Sequence, residues 1–186
     1  MTEQRKPKII IEKLGFEHLN AIYDAIIESR KELFAEGFLL NLEVSLEELE
    51  GWIKESLDER ENDKSYDFNI IDSSTNDVVG WVFLNKVNRQ YQMANLGYWV
   101  RTSRLGEGIA TEAARLIAQH GFEKLGFQRL EIVVHVGHAP SLKIAEKLGA
   151  VREGLLRNRM NLHGSPIDAY MHSLIPSDYN INITAK

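Results

Sequence analysis

Two glycines separated by one residue, in the stretch Arg104-Leu105-Gly106-Glu107-Gly108, form the part of the sequence best suited to bind a ligand. Glycine lacks a side chain, so the backbone at Gly106 and Gly108 can come close to a bound group. The helix predicted to follow begins with N–H groups that have no partner inside the helix, and its dipole favours negative charge there. This combination predicts an anion site, and a pyrophosphate group fits it.

Other nucleotide-binding and metal-binding motifs do not match. A P-loop ends in Lys and Ser or Thr, and a dinucleotide-binding turn carries a third glycine and a later acidic residue; neither pattern is present. The chain has no cysteine, which excludes disulfides, thiolate metal sites and a cysteine nucleophile. We expect no metal cofactor, and we interpret four histidines without metal-ligand spacing as surface or structural residues: His120, His135, His163 and His172.

The composition is typical of a folded soluble protein. Hydrophobic residues make up 44% and charged residues 26%, and no apolar run is long enough to span a bilayer. The polar stretch 1–8 lacks the apolar core of a secretory signal, so we expect a cytoplasmic protein that does not bind membranes. A formal net charge of −5 disfavours direct nucleic-acid binding and suits a cationic, amine-bearing partner.

The pattern predicts one α+β domain over residues 1–186, with loose tails at 1–7 and 177–186. Ser45 and Glu48 form a capping-box pair, which predicts the start of a helix ahead of a charged linker or fraying end at 58–64. Because a crossover helix joins the strands at 94–100 and 129–136, these strands should be parallel. The other predicted elements are a strand at 8–13, a helix with Leu19, Ile22 and Ile26, a hairpin turning at 73–77, helices at 109–125 and 140–148, and a last hairpin turning at His163-Gly164.

Two spaced motifs resemble the GNAT acetyltransferase superfamily. The first is Leu96-Gly97-Tyr98-Trp99-Val100 followed by the glycine turn and Ile109-Ala110-Thr111. The second is His138-Ala139-Pro140-Ser141 followed by Ala145-Glu146-Lys147-Leu148-Gly149-Ala150. More narrowly, the Gly-Tyr-Trp strand is similar to that of the ribosomal-protein alanine and serine N-acetyltransferases, and the resemblance covers most of residues 79–174.

The resemblance implies a mixed, mostly antiparallel sheet flanked by helices, with a central pair of strands that splay apart. It implies acetyl-CoA as co-substrate, with the pantetheine arm along the backbone of the strand that ends at Val100. It also gives reason to expect a homodimer. The residues that it implies for binding acetyl-CoA are Trp99, Val100, Leu105, Gly106, Glu107, Gly108, Ile109, Ala110, Thr111, His138 and Ser141.

Four positions are notable against the family pattern. Leu105 stands where Gln or Arg is usual, and we expect binding to survive because backbone amides hold the phosphates. The neighbouring Arg104 is either a substitute polar contact or a solvated arginine. His138 replaces a usual Asn and can still form a hydrogen bond, whereas Ala150 replaces a common Phe and reduces packing.

Acetyl transfer to an amine requires an oxyanion site and a donor to the departing thiolate. Unpaired backbone N–H groups near Trp99 and Val100 are the expected oxyanion site, because splaying leaves strand amides free. The resemblance assigns Ser141 the catalytic hydrogen bond to the thiolate, and Tyr98 is an alternative donor.

The reaction also needs a route for the proton of the amine. The strand before the glycine turn carries no carboxylate at 92–95, so the proton leaves through water or through a carboxylate elsewhere, such as Asp67 or Glu36.

Three hypotheses remain for the function. The first is acetylation of the N-terminal amino group of a protein or peptide, and the second is acetylation of a small amine such as a polyamine or an antibiotic. The third is a CoA-binding module without catalysis, motivated by Leu105, His138 and the missing strand carboxylate. The N-terminal helices and the loop at 38–44 are expected to select the acceptor, and they carry no recognisable motif.

Overall fold

The computed structural model describes residues 7–179, which contain seven β-strands and four α-helices. The strands are β1 (Ile9–Lys13), β2 (Tyr66–Asp72), β3 (Asp77–Asn88), β4 (Met93–Val100), β5 (Arg129–His135), β6 (Val151–Leu162) and β7 (Ser165–Leu174). The helices are α1 (Leu19–Ala35), α2 (Leu46–Glu61), α3 (Ile109–Glu123) and α4 (Ala139–Lys147). The order of the predicted elements is therefore confirmed.

The seven described strands form one sheet in the order β1-β2-β3-β4-β5-β7-β6. Strands β1 to β4 are antiparallel neighbours, and β5, β7 and β6 form a second antiparallel group. The two groups meet where β4 and β5 run parallel, as the crossover through α3 requires. This confirms the predicted mixed, mostly antiparallel sheet.

Helices cover both faces of the sheet. Ile109, Ala113 and Ile117 recur every four residues along α3, so they share one helix face and are buried in the core on one side of the sheet. On the other side, Ile22 of α1 and Leu49 of α2 belong to a second buried cluster. Among residues 7–179, no helix is long and apolar enough to cross a membrane.

The start of α2 follows the predicted capping box. Ser45 Oγ accepts the Glu48 N–H at 3.1 Å, and the Glu48 carboxylate accepts the Ser45 N–H at 2.7 Å. Helix α2 continues to Glu61, so the first four residues of the predicted linker or fraying end at 58–64 are helical. Asp63 is then held by Arg89 Nε at 2.5 Å, so this segment is anchored to the loop after β3.

The predicted tail at 177–186 is wrong for its first three residues. They belong to a short 3₁₀ helix, Pro176–Tyr179, in which Tyr179 packs edge to face on Phe122 of α3 with ring centroids 5.5 Å apart. Burial of this aromatic ring ties the segment to the core. The remaining tail predictions, at 1–6 and 180–186, lie outside the described residues.

Candidate active site

The two central strands separate after three residue pairs. Strand β4 pairs with β5 only from Met93 to Asn95, opposite residues 129–131. Beyond these pairs the facing edges of the two strands have no strand partner. The gap is a cavity of about 650 Å³, lined by residues 96–100 of β4 and 132–135 of β5. The predicted splayed strand pair is confirmed.

The glycine turn connects the end of β4 to α3. Gly106 and Gly108 have φ angles of +83° and +84°, a conformation that favours glycine. A Cβ atom built on either glycine would meet no other atom within 4 Å. Backbone conformation, not crowding, therefore requires glycine at these two positions, and the space beside them is open to a ligand.

The backbone amides of the turn are available to an anion. Gly108 is the N-cap of α3, and the N–H groups from Gly106 to Thr111 donate to no acceptor within the described part of the chain. The Leu105 N–H differs, because it donates to the Thr102 carbonyl at 3.3 Å. The Leu105 amide is therefore engaged within the protein, and Leu105 is among the residues that line the cavity.

The Arg104 side chain holds the glycine turn against the end of β2. Its Nη2 donates to the Asp72 carboxylate at 2.8 Å, and its Nε and Nη2 each donate to Glu107 at 2.9 Å. Hydrogen bonds from Ser74 and then Arg104 lower the pKa of the buried Asp72 to about 2. The prediction of a solvated arginine is wrong, and the guanidinium is also not free to replace a polar contact at Leu105.

Helix α1 fixes the segment that enters the turn. The Glu28 carboxylate accepts hydrogen bonds from Arg101 Nε at 2.9 Å and from the Ser103 N–H at 2.8 Å. Ser29 Oγ accepts the Thr102 N–H at 2.9 Å. The bond from Arg101 is the largest cause that lowers the pKa of Glu28 to about 2. The turn is thus held by α1 on one side and by β2 on the other.

Two hydroxyl groups line the cavity where β4 faces α4. Ser141 lies in the first turn of α4, and Tyr98 lies on β4. The Tyr98 hydroxyl is buried and has no hydrogen-bond partner among the described residues. Burial raises the pKa of Tyr98 to about 12, and the nearby Ser141 hydroxyl opposes this shift. The Tyr98 hydroxyl is therefore a donor that lies close to the predicted catalytic serine, without a well-formed hydrogen bond to it.

A carboxylate and two imidazoles meet on another part of the cavity wall. Glu36 follows α1, and its Oε2 atom lies 2.9 Å from His135 Nε2 and 3.2 Å from His138 Nε2. Burial lowers the pKa of His138, although the Glu36 charge opposes the shift. Within residues 7–179, no group of three or more His, Cys, Asp or Glu side chains is arranged to hold a metal ion.

The other predicted carboxylate, Asp67, does not line this cavity. Its oxygens accept hydrogen bonds from Ser65 Oγ at 2.6 Å and from Trp81 Nε1 at 3.0 Å. It lies on the wall of a neighbouring, smaller cavity. Of the two carboxylates proposed for proton removal, Glu36 is the one beside the gap between the strands.

The last hairpin and the end of α1 close the cavity away from the glycine turn. Arg159, Met160 and Asn161 of β6 line the cavity together with residues 36–38. His163, at the hairpin turn, stacks on Phe34 of α1 with ring centroids 4.3 Å apart. This end of the cavity is formed by segments for which the sequence shows no motif.

The structure brings the predicted cofactor residues together in two groups. Six of them line the cavity: Trp99, Val100, Leu105, Ala110, His138 and Ser141. Gly106, Glu107, Gly108 and Thr111 form the turn and the first turn of α3, where the Glu107 side chain is engaged by Arg104. The Ile109 side chain is buried in the core. Their contacts with acetyl-CoA stay predictions.

His135 is a site residue that the sequence interpretation missed. Alternate residues of β5, namely Leu130, Ile132 and Val134, are buried against α3, so His135 belongs to the opposite face of the strand. This alternation is visible in the sequence and was a usable signal. The partner, Glu36, is 99 positions away, and no local pattern connects the two.

Comparison with known proteins agrees with this arrangement. Residues 8–151 match the acetyltransferase (GNAT) domain family. N-acetyltransferase p20 of Bacillus licheniformis, itself uncharacterized, is 34% identical over 112 residues, which cover 60% of this chain and 63% of that protein. The matched part thus spans about three fifths of this curated relative.

Solved structures extend the similarity over nearly the whole chain. A Vibrio cholerae protein provisionally identified as a ribosomal-protein-serine acetyltransferase is 28% identical, with a TM-score of 0.75 and coverage of 94% of this chain and 96% of that one. RimJ of Mycobacterium smegmatis, solved with CoA-disulfide, shares the fold with a TM-score of 0.85, 20% identity and coverage of 91% and 83%. With the family match over residues 8–151, the chain belongs to the GNAT acetyltransferase family.

Proposed function

We propose that this protein transfers the acetyl group of acetyl-CoA to the N-terminal amino group of a protein or peptide. The gap between β4 and β5 carries the proposal, because an unpaired strand edge and two hydroxyls line one cavity, and Ala110 extends its lining to the free amides at the start of α3. Membership of the GNAT family supports the reaction type. The similarity to the Vibrio cholerae protein supports a protein N-terminus as acceptor.

The residues present fit acetyl-CoA as co-substrate. The free N–H groups from Gly106 to Thr111 would hold the pyrophosphate at the start of α3, where the helix dipole favours negative charge. The unpaired edge of β4 up to Val100 would bind the pantetheine arm as an added strand. The CoA bound to the Mycobacterium smegmatis relative supports this choice of ligand.

Backbone and hydroxyl groups would stabilise the charges that form during transfer. Acetyl-CoA supplies the thioester that the amine attacks. Free N–H groups near Trp99 and Val100 would stabilise the negative charge that forms on the carbonyl oxygen of the acetyl group. Ser141 would donate a hydrogen bond to the thiolate as the C–S bond breaks. Tyr98 is a second donor, because a pKa of about 12 keeps its hydroxyl protonated.

Glu36 would remove the proton from the acceptor amine, directly or through a water molecule. It lines the cavity, and His135 and His138 both lie within hydrogen-bond distance of one of its oxygens. Imidazoles that donate to the carboxylate fix its orientation and leave the other carboxylate oxygen available to the amine. Asp67 is not proposed for this role, because it faces the other cavity.

A small primary amine is the second candidate acceptor. The end of the cavity away from the glycine turn carries the carboxylates Glu32 and Glu36 as well as Arg159, and Lys86 also lines the cavity, so an amine would be bound there through contact with a carboxylate and not through net charge. The cofactor side of the cavity is the same for either acceptor, so the choice depends on this end.

Thiol release from acetyl-CoA tests the proposal. The panel holds peptides with free N-termini, N-terminally blocked copies of the same peptides, polyamines and aminoglycosides. We expect release with the free peptides, none with the blocked copies, and an acetyl group on the α-amine by mass spectrometry. Release with small amines alone would favour the second candidate. Tight CoA binding without release from any acceptor would contradict catalysis.

A further inference from the structure

A second, smaller cavity of about 250 Å³ lies beside the main one, between α2 and the sheet. The two cavities share part of their lining, so they are direct neighbours. The shared residues are Leu33, Phe38, Phe83, Asn85 and Trp99. A molecule that reaches the main cavity therefore lies next to the smaller one.

Aromatic rings form much of the wall of the smaller cavity. Trp52, Trp81 and Trp99, which are all the tryptophans of the chain, line it together with Phe38 and Phe83. The sheet places them there, because Trp81 of β3 lies directly opposite Trp99 of β4. In the next pair on the same face of the sheet, a Cβ atom on Gly97 would lie 2.2 Å from the Phe83 ring, so only glycine leaves room for that ring.

Acidic side chains complete the lining. Asp67 is 8% exposed, and its carboxylate accepts hydrogen bonds only from neutral groups, the Ser65 hydroxyl and the Trp81 indole, within the described residues. Glu55 and Glu59 of α2 also line the cavity, and neither forms an ion pair within residues 7–179. The lining contains no lysine or arginine. A buried carboxylate with no cation in direct contact is costly, so this wall favours a cationic ligand.

The nearest arginine does not occupy this cavity. Arg60 Nη2 donates to the backbone carbonyl of Asp67 at 2.5 Å, and the guanidinium stacks on the Phe68 ring at 4.8 Å from its centroid. Arg60 therefore contacts the main chain of β2 and an aromatic ring, and its charge interacts with the Asp67 carboxylate from outside the cavity without a direct ion pair. It is not among the residues that line the smaller cavity.

A buried polar atom also lacks a partner here. Ser56 is 7% exposed, its hydroxyl makes no hydrogen bond to any described residue, and it lines the smaller cavity. It shares a face of α2 with Trp52, four positions before it, and with Glu59, three positions after it. An unused hydroxyl beside carboxylates and aromatic rings is a further acceptor for N–H groups of a ligand.

We propose that the smaller cavity binds a second cationic group of the acceptor, an ammonium or guanidinium group, while its other amine is acetylated in the main cavity. Tryptophan rings attract such cations through their faces, and the carboxylates neutralise their charge. This inference rests on the proposed function. It narrows the substrate class to acceptors with two cationic groups, either a peptide with a basic residue close to its N-terminus or a free diamine.

Binding can be measured without turnover, because all the tryptophans line the cavity. Intrinsic fluorescence is titrated with 1,5-diaminopentane and with 1-aminopentane, which lacks the second ammonium group, in the absence of acetyl-CoA. We expect the diamine to change the fluorescence with a Kd about tenfold lower than that of the monoamine. Equal Kd values for the two amines would overturn the proposal.

Substitutions of lining residues test whether the diamine binds in the smaller cavity. Asp67→Asn and Glu59→Gln are each expected to reduce the preference for the diamine to about twofold or less. Glu59 is only partly buried, so Glu59→Gln is the variant to rely on if Asp67→Asn does not fold. The matched control is Glu50→Gln, an exposed residue of α2 that does not line the cavity. An unchanged preference in both cavity variants would overturn the proposal.

Steady-state acetylation kinetics distinguish a peptide acceptor from a free diamine. They also test the second cation site separately from the proposed function. Matched peptides carry Lys or its neutral analogue norleucine as second residue. A KM for the Lys peptide below that for the norleucine peptide identifies a peptide acceptor. If only the diamine has a lower KM, relative to 1-aminopentane, the acceptor is a free diamine. Either result supports the second cation site. Acetylation without either preference would overturn the site and leave the proposed function intact. Diamine binding without acetylation of any acceptor would contradict the proposed function and keep the site.

Discussion

The carboxylate of Glu36 lies 2.9 Å from Nε2 of His135, although the two residues are 99 positions apart in the sequence. If Glu36 takes the proton of the amine, Glu36→Gln keeps the shape of the side chain and removes the base. We expect kcat to fall by about 100-fold, with the KM for acetyl-CoA nearly unchanged. Glu50→Gln on α2 serves as the control. A kcat close to that of the unmodified protein across the alkaline pH range would exclude Glu36 as the base.

Ser141→Ala tests the donor to the departing thiolate. We expect kcat to fall by about tenfold or more, because the thiolate loses a hydrogen bond that forms only during transfer. The paired variant Tyr98→Phe removes a buried hydroxyl that has no well-formed hydrogen bond within the described residues and lies near Ser141, so the free energy of unfolding should change by less than about 1 kcal/mol. Steady-state kinetics measure kcat for both variants, and thermal unfolding measures their stability. If the Ser141→Ala variant keeps the kcat of the unmodified protein, Ser141 is not the donor to the departing thiolate.

Gly108→Val tests the anion-binding turn. A valine at a φ of +84° is strained, and its side chain would occupy the open space beside the turn. We expect the Kd for acetyl-CoA, measured by calorimetry, to rise by about tenfold or more. Gly126→Val is the matched control, because Gly126 also has a positive φ of +71° and open surroundings away from the cavity. An equal Kd for Gly108→Val and the unmodified protein would show that the turn does not bind the phosphates.

Arg104→Gln tests how the turn is braced. The variant leaves the buried Asp72 carboxylate without its cation, so we expect the free energy of unfolding to fall by about 1–3 kcal/mol. Affinity for acetyl-CoA should fall too, since the turn loses its tie to β2. Arg115→Gln is the control on α3, where an exposed pair with Glu112 spans 3.8 Å and is worth about 0–1 kcal/mol. Chemical denaturation distinguishes the two variants, and equal losses would count against a bracing role.

Acidification should destabilise the protein through its buried histidines. His172 on β7 is 3% exposed, and burial lowers its pKa below the ordinary value. Near pH 6.5 the unfolded chain therefore binds a proton that the folded chain does not, so the free energy of unfolding decreases as the pH falls through about 6.5. Thermal unfolding from about pH 7.5 to about pH 5.5 should show a falling Tm. His172→Gln should make this decrease smaller, and an unchanged slope would contradict the assignment.

The parts of the fold that depend on neighbouring residues were predictable. The capping box of Ser45 and Glu48, the α3 face with Ile109 and Ala113, and the crossover between β4 and β5 all follow from short spacings. Each depends on hydrogen bonds or burial within one or two turns, or on the handedness of one connection.

The parts of the site that depend on distant contacts were not predictable. Arg104 was expected to be solvated or to contact the ligand, but Asp72 lies 32 positions earlier and binds it. Asp67 and Glu36 were equal candidates for the base, and only the packing of α1 and β2 assigns them to different cavities. No local sequence pattern reveals which residue on another element will pair with a given acidic or basic side chain.

The gap between β4 and β5 also has an evolutionary consequence. Most of the groups proposed to hold the co-substrate belong to the main chain, so few point mutations abolish them. Descendants of such a protein are therefore free to vary Leu33, Phe38 and the tip of the last hairpin, around Glu36, while the transfer chemistry persists. New acceptors then arise by drift in the surrounding side chains, and the machinery for acetyl transfer is inherited with the backbone.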